Sequence, residues 1–212
     1  MVVGIAGAPG SGKSTLASAI SKRVNEKIIS LDNPQKSPSP SYFTTAIAIP
    51  MDGFHYYKYE LDQFPDVKKA YERRGAPWTF NASSFVSRMR QLKADAEVRF
   101  PSFEHALGDP KEDDILLEKC HRIVFVEGNY LLLDQNPWNC LKDERIFDES
   151  WFLDVSLDDA MARVLRRQLR MGTPEDIAEY RIRTNDRPNG ELINESKKRA
   201  DVLIQTPFDT AL

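Results

Sequence analysis

Two cysteines in 212 residues, Cys120 and Cys140, are too few and too scattered for a disulfide framework or a sulfur-bound metal cluster. That sparing use fits a reducing cytosol. No apolar run approaches the roughly 20 residues that span a bilayer. The apolar start, Met1-Val2-Val3-Gly4-Ile5-Ala6, has no basic leader and runs straight into a glycine loop, so it reads as a strand and not as a signal peptide. Neither sign of charge dominates: 29 Lys and Arg stand against 32 Asp and Glu, a net charge of -3. That balance argues against nucleic acid or an anionic membrane as partner. The Asn-Lys-x-Asp element that reads guanine is missing, which counts against a regulatory GTPase. No internal repeat or domain boundary is visible. With 41% hydrophobic and 29% charged residues, the chain is expected to form one domain over 1–212.

What is present is an alternation of strands and helices. Val2 to Ala6 reads as a buried strand, followed by a helix over Ser14 to Lys27 with Leu16, Ile20 and Val24 on one face. Ile28 to Leu31 is expected to begin another extended piece. Three prolines and three serines within 33–41 predict a surface loop, part of a flexible insertion at about 32–44. Thr45 to Pro50, Arg122 to Glu127, Trp151 to Val155 and Asp201 to Gln205 supply four more strands. Helices are expected over Asp66 to Arg74, after an Asn81 or Ser83 cap, over Asp158 to Met171, and from Pro174 onwards. This order predicts an α/β fold of three layers: a central five-stranded parallel sheet, covered on both faces, with a helical lid at about 163–190. Ligands in such sheets bind beyond the carboxyl ends of the strands. Gly7, Asp52 and Glu127 all fall there.

Gly7-Ala8-Pro9-Gly10-Ser11-Gly12-Lys13-Ser14, followed by Thr15, fits the Walker A pattern in its required strand-to-helix context. Glycines let backbone N–H groups turn inward, and the following helix offers free N–H groups and its positive dipole end to an anion. Lys13 is expected to reach the β- and γ-phosphates of ATP, and the Ser14 hydroxyl to ligate Mg²⁺. Asp52, just past the second strand, is placed to accept a proton from an acceptor hydroxyl or to orient it, with Gly53 allowing a tight turn. The alternative is that Asp52 simply caps that turn. Glu127 ends an apolar strand as a Walker B acid would, and could hold Mg²⁺ through water; the alternative is an acid facing solvent. Arg163, Arg166, Arg167 and Arg170 share one side of the Asp158 helix, opposite Met161, Val164, Leu165 and Leu169. That is either a solvated basic face or a lid that neutralises charge on the γ-phosphate, with Arg167 and Arg170 the best candidates.

Taken together, the motifs resemble those of the phosphoribulokinase, uridine kinase and pantothenate kinase family of P-loop kinases. The resemblance rests on residues 7–15, Met51-Asp52-Gly53-Phe54-His55, Arg73-Arg74-Gly75-Ala76-Pro77 with Thr79-Phe80, Pro101-Ser102-Phe103-Glu104-His105, Val126-Glu127-Gly128-Asn129-Tyr130, and the arginine helix. Asn185-Asp186-Arg187-Pro188-Asn189 looks like an element of a less characterised branch. The resemblance implies Asp52 as base, Glu127 as the magnesium carboxylate, and acceptor-binding groups among Arg74, Phe103 and His105. His55, Tyr56 and Tyr130 are further candidates for that pocket, with ordinary core or surface roles as the alternative. The function expected is transfer of the ATP γ-phosphate to a hydroxyl of a small metabolite: a nucleoside, a pantothenate-like alcohol, a sugar or a glycerate-like acid. An ATPase with a conformational or chaperone-like role is the competing expectation. A carboxylate at position 52 would repel an incoming phosphate, which disfavours a nucleoside monophosphate as acceptor.

Overall fold

The computed structural model describes residues 1–31, 45–92, 97–104 and 107–205. The segment 32–44, where an insertion is expected, and His105 lie outside the described residues. Five parallel strands form the central sheet: β1 (Val2–Ala6), β2 (Thr45–Pro50), β5 (His121–Gly128), β6 (Glu149–Leu153) and β7 (Val202–Ile204), in the order β2-β5-β1-β6-β7. The remaining two strands, β3 (Val98–Glu104) and β4 (Asp109–Leu117), pair antiparallel in a separate hairpin. The sequence pattern does not predict that hairpin. Pro101 sits where its register shifts, between Phe100 and Ser102, and β4 opens with the polar run Asp109-Pro110-Lys111-Glu112-Asp113-Asp114, so neither strand alternates cleanly.

Strand parity decides which helix each side chain meets. Val3 and Ile5 of β1 and Phe125 of β5 share one face with Ala17, and Leu16, Ile20 and Val24 of α1 (Lys13–Leu31) pack against it. Ala6, Val124 and Val126 point to the other face, into a larger cluster with Phe85 and Met89 of α4 (Ala82–Gln91) and with Tyr130 and Leu131. Fully burying one such large apolar side chain contributes about 1.5–3 kcal/mol, so these two clusters fix the layering. α1 continues helically to Leu31, so 28–31 is not the extended piece that its isoleucines suggest; continuation of a helix already formed from Lys13 overrides their β-preference.

Short helices follow the second strand: α2 (Lys58–Leu61) and α3 (Val67–Glu72), the latter capped by Asp66, which accepts from the Lys69 N–H. Asn81 caps α4 through the Ser84 N–H. α5 (Cys140–Asp143) precedes β6. The arginine-rich lid region comprises α6 (Leu157–Arg170), α7 (Glu175–Arg181), a π-helical turn over Ile182–Asp186, and α8 (Arg187–Glu195). Leu169, expected on the apolar side of α6, is 38% exposed, while Met161 and Val164 are buried. β6 begins at Glu149 and ends at Leu153, two residues before the expected span. No helix among the described residues is long and apolar enough to cross a membrane.

The edge strand β7 is stitched on by one carboxylate. Asp201 accepts from Lys142 Nζ (2.6 Å), from the Ser150 hydroxyl (2.6 Å) and from the Ser150 N–H (2.8 Å). Lys142 first, then Ser150, holds the Asp201 carboxyl below its ordinary pKa. A depressed carboxylate stabilises the fold above its unfolded pKa, and that contribution disappears as the pH falls through the folded value. Asp201→Asn should therefore lower Tm at neutral pH by about 2–4 °C, the equivalent of roughly 1 kcal/mol for a half-exposed charged network. The gap to wild type should shrink on acidification below the ordinary carboxylate range. Thermal melts at neutral and acid pH check this; an equal gap at both would show that the charge is not what matters.

Candidate active site

Register brings three sequence-distant segments to one rim. Ile5 faces Glu127 in β1–β5, and Pro50 faces the same Glu127 in β2–β5. The chain then turns at all three points: into the glycine loop after Ala6, into a 3₁₀ turn over Met51–Phe54 carrying Asp52, and into Asn129-Tyr130 after Gly128. Glu127 shares parity with Phe125, so it points to the α1 side, where the first turn of α1 presents Ser14. The Ser14 hydroxyl donates to Glu127 Oε1 at 2.9 Å, across 113 residues of sequence.

Lys13 lies beside this pair, 8% exposed, with Nζ donating to the Ala8 carbonyl at 3.0 Å. Burial pushes its pKa down; the charges of Glu127 and Asp52 oppose that, and Arg167 adds to it. Glu127 is 7% exposed, and burial holds its carboxyl above the ordinary range, against the pull of Lys13. Lys13 therefore lies in the field of Glu127, Asp52 and Arg167, and Glu127 in that of Lys13 and Asp52. Burial also raises Asp186, opposed by Arg167 and then Arg181. Arg167 and Arg170 are both exposed; of the two, Arg167 is the one whose charge bears on Lys13 and Asp186.

The glycine loop has the form of an anion cradle. Gly12 has φ +97°, and a Cβ there would meet nothing within 4 Å, so the chain turns around open space. The Ser11 hydroxyl is buried with no hydrogen-bond partner among the described residues. α1 has no acid in its first turn to occupy its N–H groups. Backbone amides, an open turn and a buried lysine fit a nucleotide triphosphate. A hydroxyl and a carboxylate in contact are an oxygen donor set of the kind Mg²⁺ takes.

The other candidate residues divide into two groups. The His55 ring packs at a tilt against Phe80 (centroids 3.9 Å apart) and Phe103 (4.7 Å), with Nδ1 2.8 Å from the Asp52 carbonyl, so it braces the turn that carries Asp52. Arg74 bonds the carbonyls of Tyr56 (2.8 Å) and Gly108, pairs with Asp109 (3.1 Å) and lies over the Phe103 ring. Tyr130 is fully buried, its hydroxyl donating to the Gly75 carbonyl at 2.5 Å. These contacts hold the acceptor-side loops together. Tyr56, in contrast, lines a cavity of about 410 Å³. Gly53 lacks the left-handed backbone that a tight turn would ask of glycine; its reason is space, since a Cβ there would lie 2.0 Å from the Pro101 carbonyl oxygen. Sequence reasoning did not pick out Arg73, Asn185, Asp186 or Asn189 as site residues. The signals were the Asn-Asp-Arg-Pro-Asn string for the lid residues and the Arg-Arg-Gly-Ala-Pro element for Arg73, neither of which named these side chains as site residues.

A family model described as the Phosphoribulokinase / Uridine kinase family matches residues 2–211. The chain belongs to this family. It is similar to the Schizosaccharomyces pombe protein named "Putative uridine kinase C227.14", at 40% identity over 213 residues, covering 97% of this chain and 83% of that protein. Among solved structures it is similar to YFH7 from Saccharomyces cerevisiae, with TM-score 0.82 and 25% identity over 97% of this chain and 92% of the other. A "putative fructose transport system kinase" from Silicibacter sp. TM1040 gives TM-score 0.81 and 30% identity, covering 96% and 89%. The chain is thus a P-loop kinase-type phosphotransferase, a nucleotide-dependent kinase of small molecules.

Within this kinase family member, two glycines should behave differently. Gly12→Ala meets no neighbour, so its cost is backbone strain of about 1–2 kcal/mol, while Mg·ATP affinity should fall by about tenfold or more as the methyl enters the cradle. Gly53→Ala should lower Tm further, because the hairpin must move. Melting curves and nucleotide titrations on both variants check this; undiminished ATP binding by Gly12→Ala would contradict the cradle.

Proposed function

We propose that the protein transfers the γ-phosphoryl group of ATP to a hydroxyl of a small metabolite, with Mg²⁺ as cofactor. The observation that carries this reading is the Ser14–Glu127 contact beside buried Lys13, with Asp52 near enough for its charge to act on both Lys13 and Glu127. The amides of residues 10–14 bind the β- and γ-phosphates, and Lys13 exchanges its carbonyl partner for phosphate oxygens. Ser14 and Glu127 would hold Mg²⁺, which when bound neutralises charge on the β- and γ-oxygens.

Asp52 accepts the proton of the acceptor hydroxyl as its oxygen bonds to the γ-phosphorus. The bond from that phosphorus to the bridging oxygen breaks in line, and ADP leaves with the electron pair. The attacking group is a neutral hydroxyl, since a carboxylate at 52 would repel an anion at that point. Arg167 neutralises the equatorial oxygens from the lid side, and Asp186 limits where its guanidinium can go. The relatives' names, a putative uridine kinase and a putative fructose transport system kinase, point to different molecules, so they support a kinase reading without naming the acceptor.

Asp52→Asn should cut kcat by roughly 10²–10⁴-fold while leaving Mg·ATP binding intact, measured by acceptor-dependent ADP release. Full activity would place the base elsewhere. Glu127→Gln should raise the Mg²⁺ concentration needed for half-maximal rate. An unchanged magnesium requirement would point to another carboxylate.

A further inference from the structure

The cavity of about 410 Å³ lies where the Tyr56 and Arg73 segments, residues 135–138 and the start of α8 come together. Its walls include the rings of Tyr56, Trp78, Phe80 and Trp138, together with Arg73 and Asn189. Arg73 is the only charged side chain among the lining residues. The cavity adjoins the Asp52 turn through Phe80: the His55 ring lies 3.9 Å from the Phe80 ring while its Nδ1 is 2.8 Å from the Asp52 carbonyl, and the Tyr130 ring packs against Phe80 and Trp138.

Arg73 is held in an unusual way. Its Nε donates to Asn185 Oδ1 and its Nη2 to Asn189 Oδ1, each at 3.2 Å. Both amides are locked in that orientation. Asn185 Nδ2 donates to the Arg74 carbonyl (2.8 Å), which can only accept, so Asn185 Oδ1 must face the guanidinium. Asn189 Nδ2 in turn donates to Asn185 Oδ1 (3.1 Å), which aims its own oxygen at Arg73. Asn189 is 3% exposed, and no carboxylate among the described residues pairs with Arg73. The clasp therefore fixes the guanidinium without cancelling its charge. The neighbouring Arg74, by contrast, is paired with Asp109. An uncompensated cation among aromatic walls asks for an anion on an apolar or planar body.

We propose that this cavity is the acceptor pocket, and that Arg73, positioned by Asn185 and Asn189, selects a hydroxyl metabolite bearing an oxyanion group, carboxylate or phosphate, remote from the hydroxyl. The inference rests on the phosphotransfer reading for the word acceptor, and on the cavity alone for its charge preference. It is compatible with Asp52: the neutral hydroxyl faces the carboxylate, and the anionic end lies at Arg73.

The test uses the whole chain with saturating Mg·ADP and three probes of similar shape: benzamide, benzoate and phenyl phosphate. Binding is followed by tryptophan fluorescence, since Trp78 and Trp138 line the cavity, and by calorimetry. At least one anionic probe should bind about tenfold or more tighter than benzamide, and which one does so separates carboxylate from phosphate. Arg73→Gln should abolish the preference and Arg73→Lys should retain it. Asn189→Asp sets a carboxylate against the intact arginine at nearly the same size, and should abolish the preference too; it also keeps the test open if Arg73→Gln does not fold. Equal affinities, no binding of any probe, or a preference that survives both Arg73→Gln and Asn189→Asp would overturn the proposal. If probes discriminate but no hydroxyl compound is phosphorylated, the failure belongs to the kinase reading. If a neutral hydroxyl compound is turned over in an Asp52-dependent way while the probes show no charge preference, the kinase reading stands and this inference falls.

Discussion

Everything at the phosphate rim depends on the parallel pairing of β1 with β5. That register sets Glu127 opposite Ile5, two residues before the glycine loop begins at Gly7, and strand parity then turns its carboxylate toward α1. Ser14 is in reach only because α1 starts immediately after the loop. The resulting hydrogen bond joins a buried acid to a helix N-terminus, beside a buried lysine whose burial lowers its pKa. Such an arrangement is costly without a ligand, because Glu127 and Lys13 are both desolvated. A polyanion and a divalent cation would relieve both costs together, which is the physical sense of placing these groups here.

Around that rim, arginines take three distinct roles. Arg74 is spent on structure, tying the β3–β4 hairpin to the Tyr56 loop. Arg167, on α6, carries a charge that bears on both Lys13 and Asp186. Arg73 is fixed by neutral amides and faces a cavity. The lid residues 182–190 thus contribute to both ends of the site: Asp186 to the phosphate side, Asn185 and Asn189 to the cavity side. The π-helical turn over Ile182–Asp186 lets one short stretch serve both directions, consistent with the tendency of such turns to occur at functional sites.

Much of this was legible in the sequence where the chemistry is written contiguously. The Walker A loop needs eight adjacent residues, and the strands β1, β2 and β5 are apolar runs ended by the residues that matter. The parallel sheet and the arginine-rich helix followed from the same alternation. Legibility failed where structure depends on distant partners. The β3–β4 hairpin has a proline at its register shift and a polar run opening β4. Ile28 looked extended because propensity was weighed without the helix already formed from Lys13. The clasp of Arg73 by Asn185 and Asn189 spans more than 110 residues, and no periodicity announces it. Arg73 and Arg74 are adjacent and chemically alike, so only the three-dimensional arrangement tells the paired arginine from the uncompensated one.

The most direct measurement is a crystal structure with a non-hydrolysable ATP analogue and Mg²⁺. The account predicts the triphosphate wrapped by the amides of residues 10–14, Lys13 Nζ moved from the Ala8 carbonyl to phosphate oxygen, and the ion between Ser14 and Glu127. The direct 2.9 Å hydrogen bond between those two side chains should then be broken. A structure in which that bond and the Lys13–Ala8 contact remain intact while the nucleotide occupies another surface would contradict it.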